Sequence, residues 1–120
     1  MRNATRYVIC SFFALGMLAA LPATATENNA SEPGFTITLK NGVVSPARVE
    51  VPAGVIVKIT LKNTGTDPAE FESPQLRKEI VLAPGRVQSV TLQKPSAGEY
   101  VYFDDFHQDL DSAFGVIVAK

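Results

Sequence analysis

From Phe35 onward, apolar and polar residues alternate with a period of two, and turn residues interrupt the alternation every few positions. Phe35, Ile37 and Leu39 alternate with Thr36, Thr38 and Lys40, the pattern of a strand with one face buried. Asn41-Gly42 marks a turn. Arg48-Val49-Glu50-Val51 alternates again and stops at Pro52-Ala53-Gly54. Val55 to Leu61 is long and rich in β-branched residues, which suits a central strand. Shorter strands are expected at Glu70–Glu72, Ile80–Leu82, Val87–Leu92, Tyr100–Phe103 and Gly115–Ala119. Ser73-Pro74, Pro84-Gly85 and Pro95-Ser96-Ala97-Gly98 separate them, with a short helical turn expected in Pro74 to Lys78. About eight short strands without a helical period predict an all-β chain folded as a β-sandwich.

The residues before this pattern read as an address. Arg2 and Arg6 precede Val8 to Leu21, an almost wholly apolar run without charge, and Ala23-Thr24-Ala25 follows. That order is a secretory signal peptide over residues 1–25. The run is too short and wrongly flanked for a membrane span, which needs roughly 20 apolar residues. Residues 26–34 are polar and read as a flexible lead-in, which leaves one domain over 35–120. The expected location is the periplasm, with no membrane anchor after cleavage.

Cleavage after Ala25 removes Cys10, Met1 and Met17, so the mature chain has no sulfur. It holds no disulfide, no thiolate ligand and no thioether ligand. Losing Arg2 and Arg6 leaves 9 basic residues against 12 acidic, a net charge of −3 with His107 neutral. That balance argues against nucleic acid as a partner. No Ser-His-Asp spacing, Gly-rich phosphate loop or paired-carboxylate motif points to a hydrolase.

The acidic residues are not evenly spread. Glu99, Asp104, Asp105, Asp109 and Asp111 fall within thirteen residues, and His107, the only histidine, sits among them. The stretch follows one expected strand and precedes the last, so it forms a loop at one end of the sandwich. Carboxylates so close together repel, and a bound cation relieves the repulsion.

Gly98-Glu99-Tyr100-Val101-Tyr102-Phe103-Asp104 resembles the penultimate strand of cupredoxins, with Asp104 in the place of their copper-binding cysteine. His107 follows Asp104 at the spacing of the C-x-x-H ligand loop, and Phe114-Gly115-Val116-Ile117-Val118 is similar to the final strand. Pro46 to Gly54 is similar to the family's opening segment, and the resemblance covers nearly all of Phe35 to Lys120. It implies a cupredoxin-like Greek-key β-sandwich. A blue-copper centre needs a Cys thiolate, two His and usually a weak Met. The mature chain has one of these four, which excludes that electron-transfer site. Strand alternation puts Tyr100, Tyr102 and Asp104 on one face and Val101, Phe103 and Asp105 on the other.

Glu70-Phe71-Glu72-Ser73 and Phe103-Asp104-Asp105-Phe106-His107 look like segments of periplasmic cupredoxin-like components of bacterial ferrous-iron uptake systems. This resemblance implies a copper and/or iron ion held by Glu70, Glu72, Asp104 and His107; the nearby carboxylates of Asp105 and Asp109 are expected to recruit or neutralise a second ion. It also implies help with Fe(II) oxidation, and an iron permease or another uptake component as partner. Two other readings remain: a copper or zinc carrier without a redox role, and a protein-interaction module that holds no metal.

Overall fold

The computed structural model describes residues 34–120. The expected signal peptide over 1–25 and nearly all of the expected lead-in over 26–34 lie outside the described residues. Nine strands follow in chain order: β1 (Phe35–Lys40), β2 (Val43–Ser45), β3 (Arg48–Val51), β4 (Val57–Asn63), β5 (Ala69–Ser73), β6 (Lys78–Leu82), β7 (Val87–Leu92), β8 (Gly98–Asp104) and β9 (Phe114–Ala119). They make two sheets, ordered β2-β1-β4-β7 and β3-β9-β8-β5-β6. β1 pairs with β4 and β3 with β9 in parallel, and all other pairs are antiparallel. Neighbours in space that lie far apart in sequence give the expected Greek-key sandwich.

The ninth strand is β2, whose three residues are too few to show an alternation. It exists because Asn41 and Gly42 both adopt positive φ, 48° and 81°, as a two-residue hairpin turn requires. Residues 74–77 form a turn rather than a helical segment, with Arg77 N donating to Pro74 O at 3.1 Å. Val55 and Ile56 are exposed, so the central strand starts at Val57.

Ile37, Leu39, Ile59, Leu61 and Leu92 of one sheet meet Val51, Phe71, Leu82, Tyr102 and Ile117 of the other, all at 2 % exposure or less. Each such side chain contributes about 1.5–3 kcal/mol when fully buried. With all the sulfur in residues 1–17, this core, and not a disulfide, holds the domain together. Tyr102 is its largest member. Its ring stacks on Phe71 at 5.5 Å, and its phenol donates to the Pro46 carbonyl. Burial pushes that phenol's pKa up to about 12. The ring lies so close over Gly115 that any Cβ there would collide with it.

Two asparagines shape the loop between β4 and β5. Asn63, nearly fully buried, donates to the carbonyls of Asp67 (2.8 Å) and Leu82 (2.9 Å) and accepts from Gly65 N (2.9 Å). Asn41 Oδ1 accepts from Thr66 N at 2.8 Å and Asp67 N at 3.1 Å. The loop that carries Asp67 is thereby tied to the β1–β2 hairpin.

Candidate metal centre

β8 delivers its residues alternately to the two faces of its sheet. Tyr102 and Asp104 are fully buried on the inner side, and Phe103 and Asp105 face outward. Asp104 then caps a single 3₁₀ turn, Asp105–His107. Its Oδ1 accepts from Glu70 N at 3.0 Å and Phe106 N at 3.3 Å, and its Oδ2 lies 2.8 Å from His107 Nδ1. A carboxylate only accepts, so the ring proton sits on Nδ1 and the lone pair of neutral His107 is on Nε2. Nε2 stands 3.9 Å from Asp67 Oδ2. Gly42 is buried under this group. A Cβ at Gly42 would collide with Leu110 and sit 3.1 Å from His107 Cβ, so glycine is what lets the loop close down.

β5 alternates too. Phe71 is in the core, which turns Glu70 and Glu72 to the outer face of the five-stranded sheet. The antiparallel register sets Val81 opposite Glu70 and Glu79 opposite Glu72. Glu70 lies beside Glu79, and Glu72 beside Asp105, near enough for the carboxyls of each pair to repel. Glu70 is 7 % exposed, and burial, followed by the Glu79 carboxyl, raises its pKa above the ordinary glutamate range. Burial, then Asp105, raises that of Glu72. None of these four acids forms an ion pair with Lys or Arg among the described residues.

The structure thus divides the six residues singled out in the sequence. Asp104 and His107 meet on the inner side, joined by Asp67. Glu70, Glu72 and Asp105 meet on the outer face, joined by Glu79. Asp109 is exposed between the two 3₁₀ turns, Asp105–His107 and Asp111–Ala113. Among the described residues, no three His, Cys, Asp or Glu side chains close around one point, so the outer acids are two pairs and not a finished shell. Asp67 and Glu79 carried weak signals in the sequence. Glu79 needs the Pro74–Arg77 turn to bring it opposite Glu72, and Asp67 needs both asparagines.

A blue-copper ion does not fit this donor set. The position of the thiolate holds Asp104, whose two oxygens already serve two backbone N–H groups and an imidazole. Hard oxygen donors on the outer face instead suit iron, manganese or Cu(II).

Residues 10–119 match the model of the cupredoxin-like domain, and the chain belongs to that family. An uncharacterized protein of Rickettsia prowazekii (strain Madrid E) is 32 % identical over 81 residues, which cover 68 % of this chain. The matched chain spans only 65 % of that relative's length. Reduced auracyanin from Roseiflexus castenholzii superposes with a TM-score of 0.62 at 17 % identity, covering 74 % of this chain and 98 % of its own. A purple cupredoxin from Nitrosopumilus maritimus gives 0.53 at 23 % identity, covering 72 % and 99 %. The metal-binding domain of the Cu(I)-exporting ATPase CopA of Streptococcus pneumoniae gives 0.60 at 11 % identity, covering 72 % and 84 %. At such identities these likenesses establish the fold.

Proposed function

We propose that this cupredoxin-like protein binds a hard transition-metal ion, iron foremost, through Glu70, Glu79, Glu72 and Asp105. It would do so in the periplasm, as a component of ferrous-iron uptake that hands the ion to a permease or another uptake protein. The observation that carries the reading is Glu70, a residue 7 % exposed whose neighbours include other carboxyls and which has no Lys or Arg ion pair among the described residues. Burying an acid this way is costly, and a cation arriving between the two pairs would relieve their repulsion and draw them together. Oxygen donors bind Fe(III) more strongly than Fe(II), so the same set eases electron loss from bound Fe(II) to an external acceptor such as dioxygen.

Copper or zinc carriage without redox chemistry is the second reading, and it rests on a separate observation. His107 Nε2, oriented through Nδ1 by Asp104, stands beside Asp67, as a carboxylate-oriented histidine ligand does.

Anaerobic calorimetric titration with Fe(II), Mn(II) and Cu(II) separates the two. Outer-face binding predicts that Glu70→Gln and Glu72→Gln each weaken Fe(II) and Mn(II) binding about tenfold or more, while His107→Ala leaves it intact. Loss of Cu(II) binding in His107→Ala, with Glu70→Gln unaffected, would favour the carrier. Heat from none of the three ions would leave a protein-interaction module as the better description.

A further inference from the structure

The end of the sandwich away from the His107 loop has the opposite chemistry. The turn 74–77 and the segment 93–96, between β7 and β8, flank a half-open cleft of about 390 Å³. Leu76, Leu92 and Tyr100 are its larger apolar lining residues, and Arg77, Lys78 and Lys94 are its cationic ones. No Asp or Glu lines it, in a chain whose acidic residues outnumber its basic ones. None of the three cations forms an ion pair among the described residues, where Arg48, Lys120 and His107 take part in all of them.

Two of the three cations also hold an unfavourable backbone. Arg77 has φ 54° and Lys94 φ 48°, one on each side of the cleft. The left-handed region is where glycine costs least and a long side chain brings no local benefit. At two such positions facing one cleft the chain carries charge instead, and residues held this way cluster where ligands are clamped.

We infer that this cleft binds a small organic anion with two or more carboxylate or phosphate groups, its charges on Arg77, Lys78 and Lys94 and its carbon skeleton against Leu92 and Tyr100. The volume lies within the range of small-molecule clefts, about 300–1,000 Å³. A guanidinium pairs with a carboxylate or phosphate through two parallel hydrogen bonds, and the lysines add point charges. Gln75 couples the cleft to the sheet, because its Oε1 accepts from Val101 N at 2.8 Å. No residue of the cleft belongs to the outer carboxyl set, so the inference stands or falls apart from the proposed function.

The test is a titration of the metal-free protein, followed by ¹⁵N–¹H NMR at constant ionic strength. The probes are tricarballylate, a weak chelator, and 1,3-propanediol bisphosphate, with acetate as the monovalent control. Saturable shifts are expected at the amides of Lys78, Tyr100 and Val101 with either or both probes, and which probe acts tells carboxylate from phosphate. Arg77→Gly and Lys94→Gly should each bind about tenfold more weakly or worse while melting at or above the parent temperature, because glycine relaxes the left-handed position. Arg77→Gln and Lys94→Gln keep the parent backbone demand and carry the same expected loss. Absence of saturable shifts would overturn the inference, and so would acetate acting as well as the polyanions or variants that bind like the parent. Binding of a hexaglutamate peptide with both small anions inert would overturn it in favour of a protein partner.

Discussion

Asp104 and Glu70 are one hydrogen bond apart, and their surroundings are opposite. Asp104 is fully buried and spends its carboxylate on the Glu70 and Phe106 amides and the His107 ring. Glu70 is almost as buried, and its carboxyl meets the carboxyl of Glu79. A satisfied buried acid organises structure, as a cap and an orienting partner do. A buried acid among acids stores repulsion that a cation releases. The same carboxyl group on the two faces of one sheet therefore takes different roles, and the acceptor or donor character of the neighbours decides which.

The largest expected effect tests the satisfied side. Asp104→Ala should cost about 2–4 kcal/mol, because it strands the amides of Glu70 and Phe106 and unties His107. Urea denaturation measures it. A stable Asp104→Ala protein that had lost metal would invert the comparison and make Asp104 a ligand. A smaller effect of opposite sign tests the other side. Glu70→Gln removes charge without changing shape, so the metal-free protein should melt a few degrees higher. A lower melting temperature would mean that the Glu70 carboxyl has a donor of its own.

The smallest effect is a pH dependence. Glu70 and Glu72 keep their protons to higher pH in the folded chain than in the unfolded one. Their stabilising contribution is full below the ordinary glutamate value of 4.5 and is lost as pH rises through the folded values. Glu50, held down by Lys120, contributes in the opposite direction, its stabilisation being lost as pH falls. The useful quantity is thus the difference between the parent and a Glu70→Gln, Glu72→Gln double variant. Metal-free parent should lose stability relative to the variant as pH rises from 4.5 towards neutrality, and scanning calorimetry reads it. Parallel curves would mean that the carboxyl pairs are independent acids.

Alternation made most of the fold legible, since Phe35-Thr36-Ile37 or Arg48-Val49-Glu50 reads as a strand without outside help. β2 did not, because three residues hold too little pattern, and only the turn at Asn41-Gly42 hinted at a returning strand. That Asp104 shares a face with Tyr100 and Tyr102 followed by the same rule, and the cupredoxin resemblance turned that face inward. Glu70-Phe71-Glu72 obeys that rule as well, and an inward Phe71 means outward glutamates. The resemblance to iron-uptake components grouped them with Asp104 because it compares positions along the chain, and these positions lie on two sides of a sheet. The Glu72–Glu79 pairing depends on the turn at 74–77, and the approach of Asp67 to His107 on the Asn41 and Asn63 side chains. Such contacts are made by register and loop closure, which no local pattern encodes.

The place of β9 sets a timetable for the chain. It is last in order, yet it lies between β3 and β8, with Arg48 beside Val116 and Tyr100 beside Ile117. Until residues 114–119 arrive, β3 has no neighbour in its sheet and one side of β8 is bare. Folding must wait for distant segments to meet, which puts it among the slower topologies. During that wait two unpaired edges are open to wrong pairing with other chains. Anything that keeps newly made chains apart, or shields those edges, will therefore raise the yield of correctly folded protein more than a gain in final stability will.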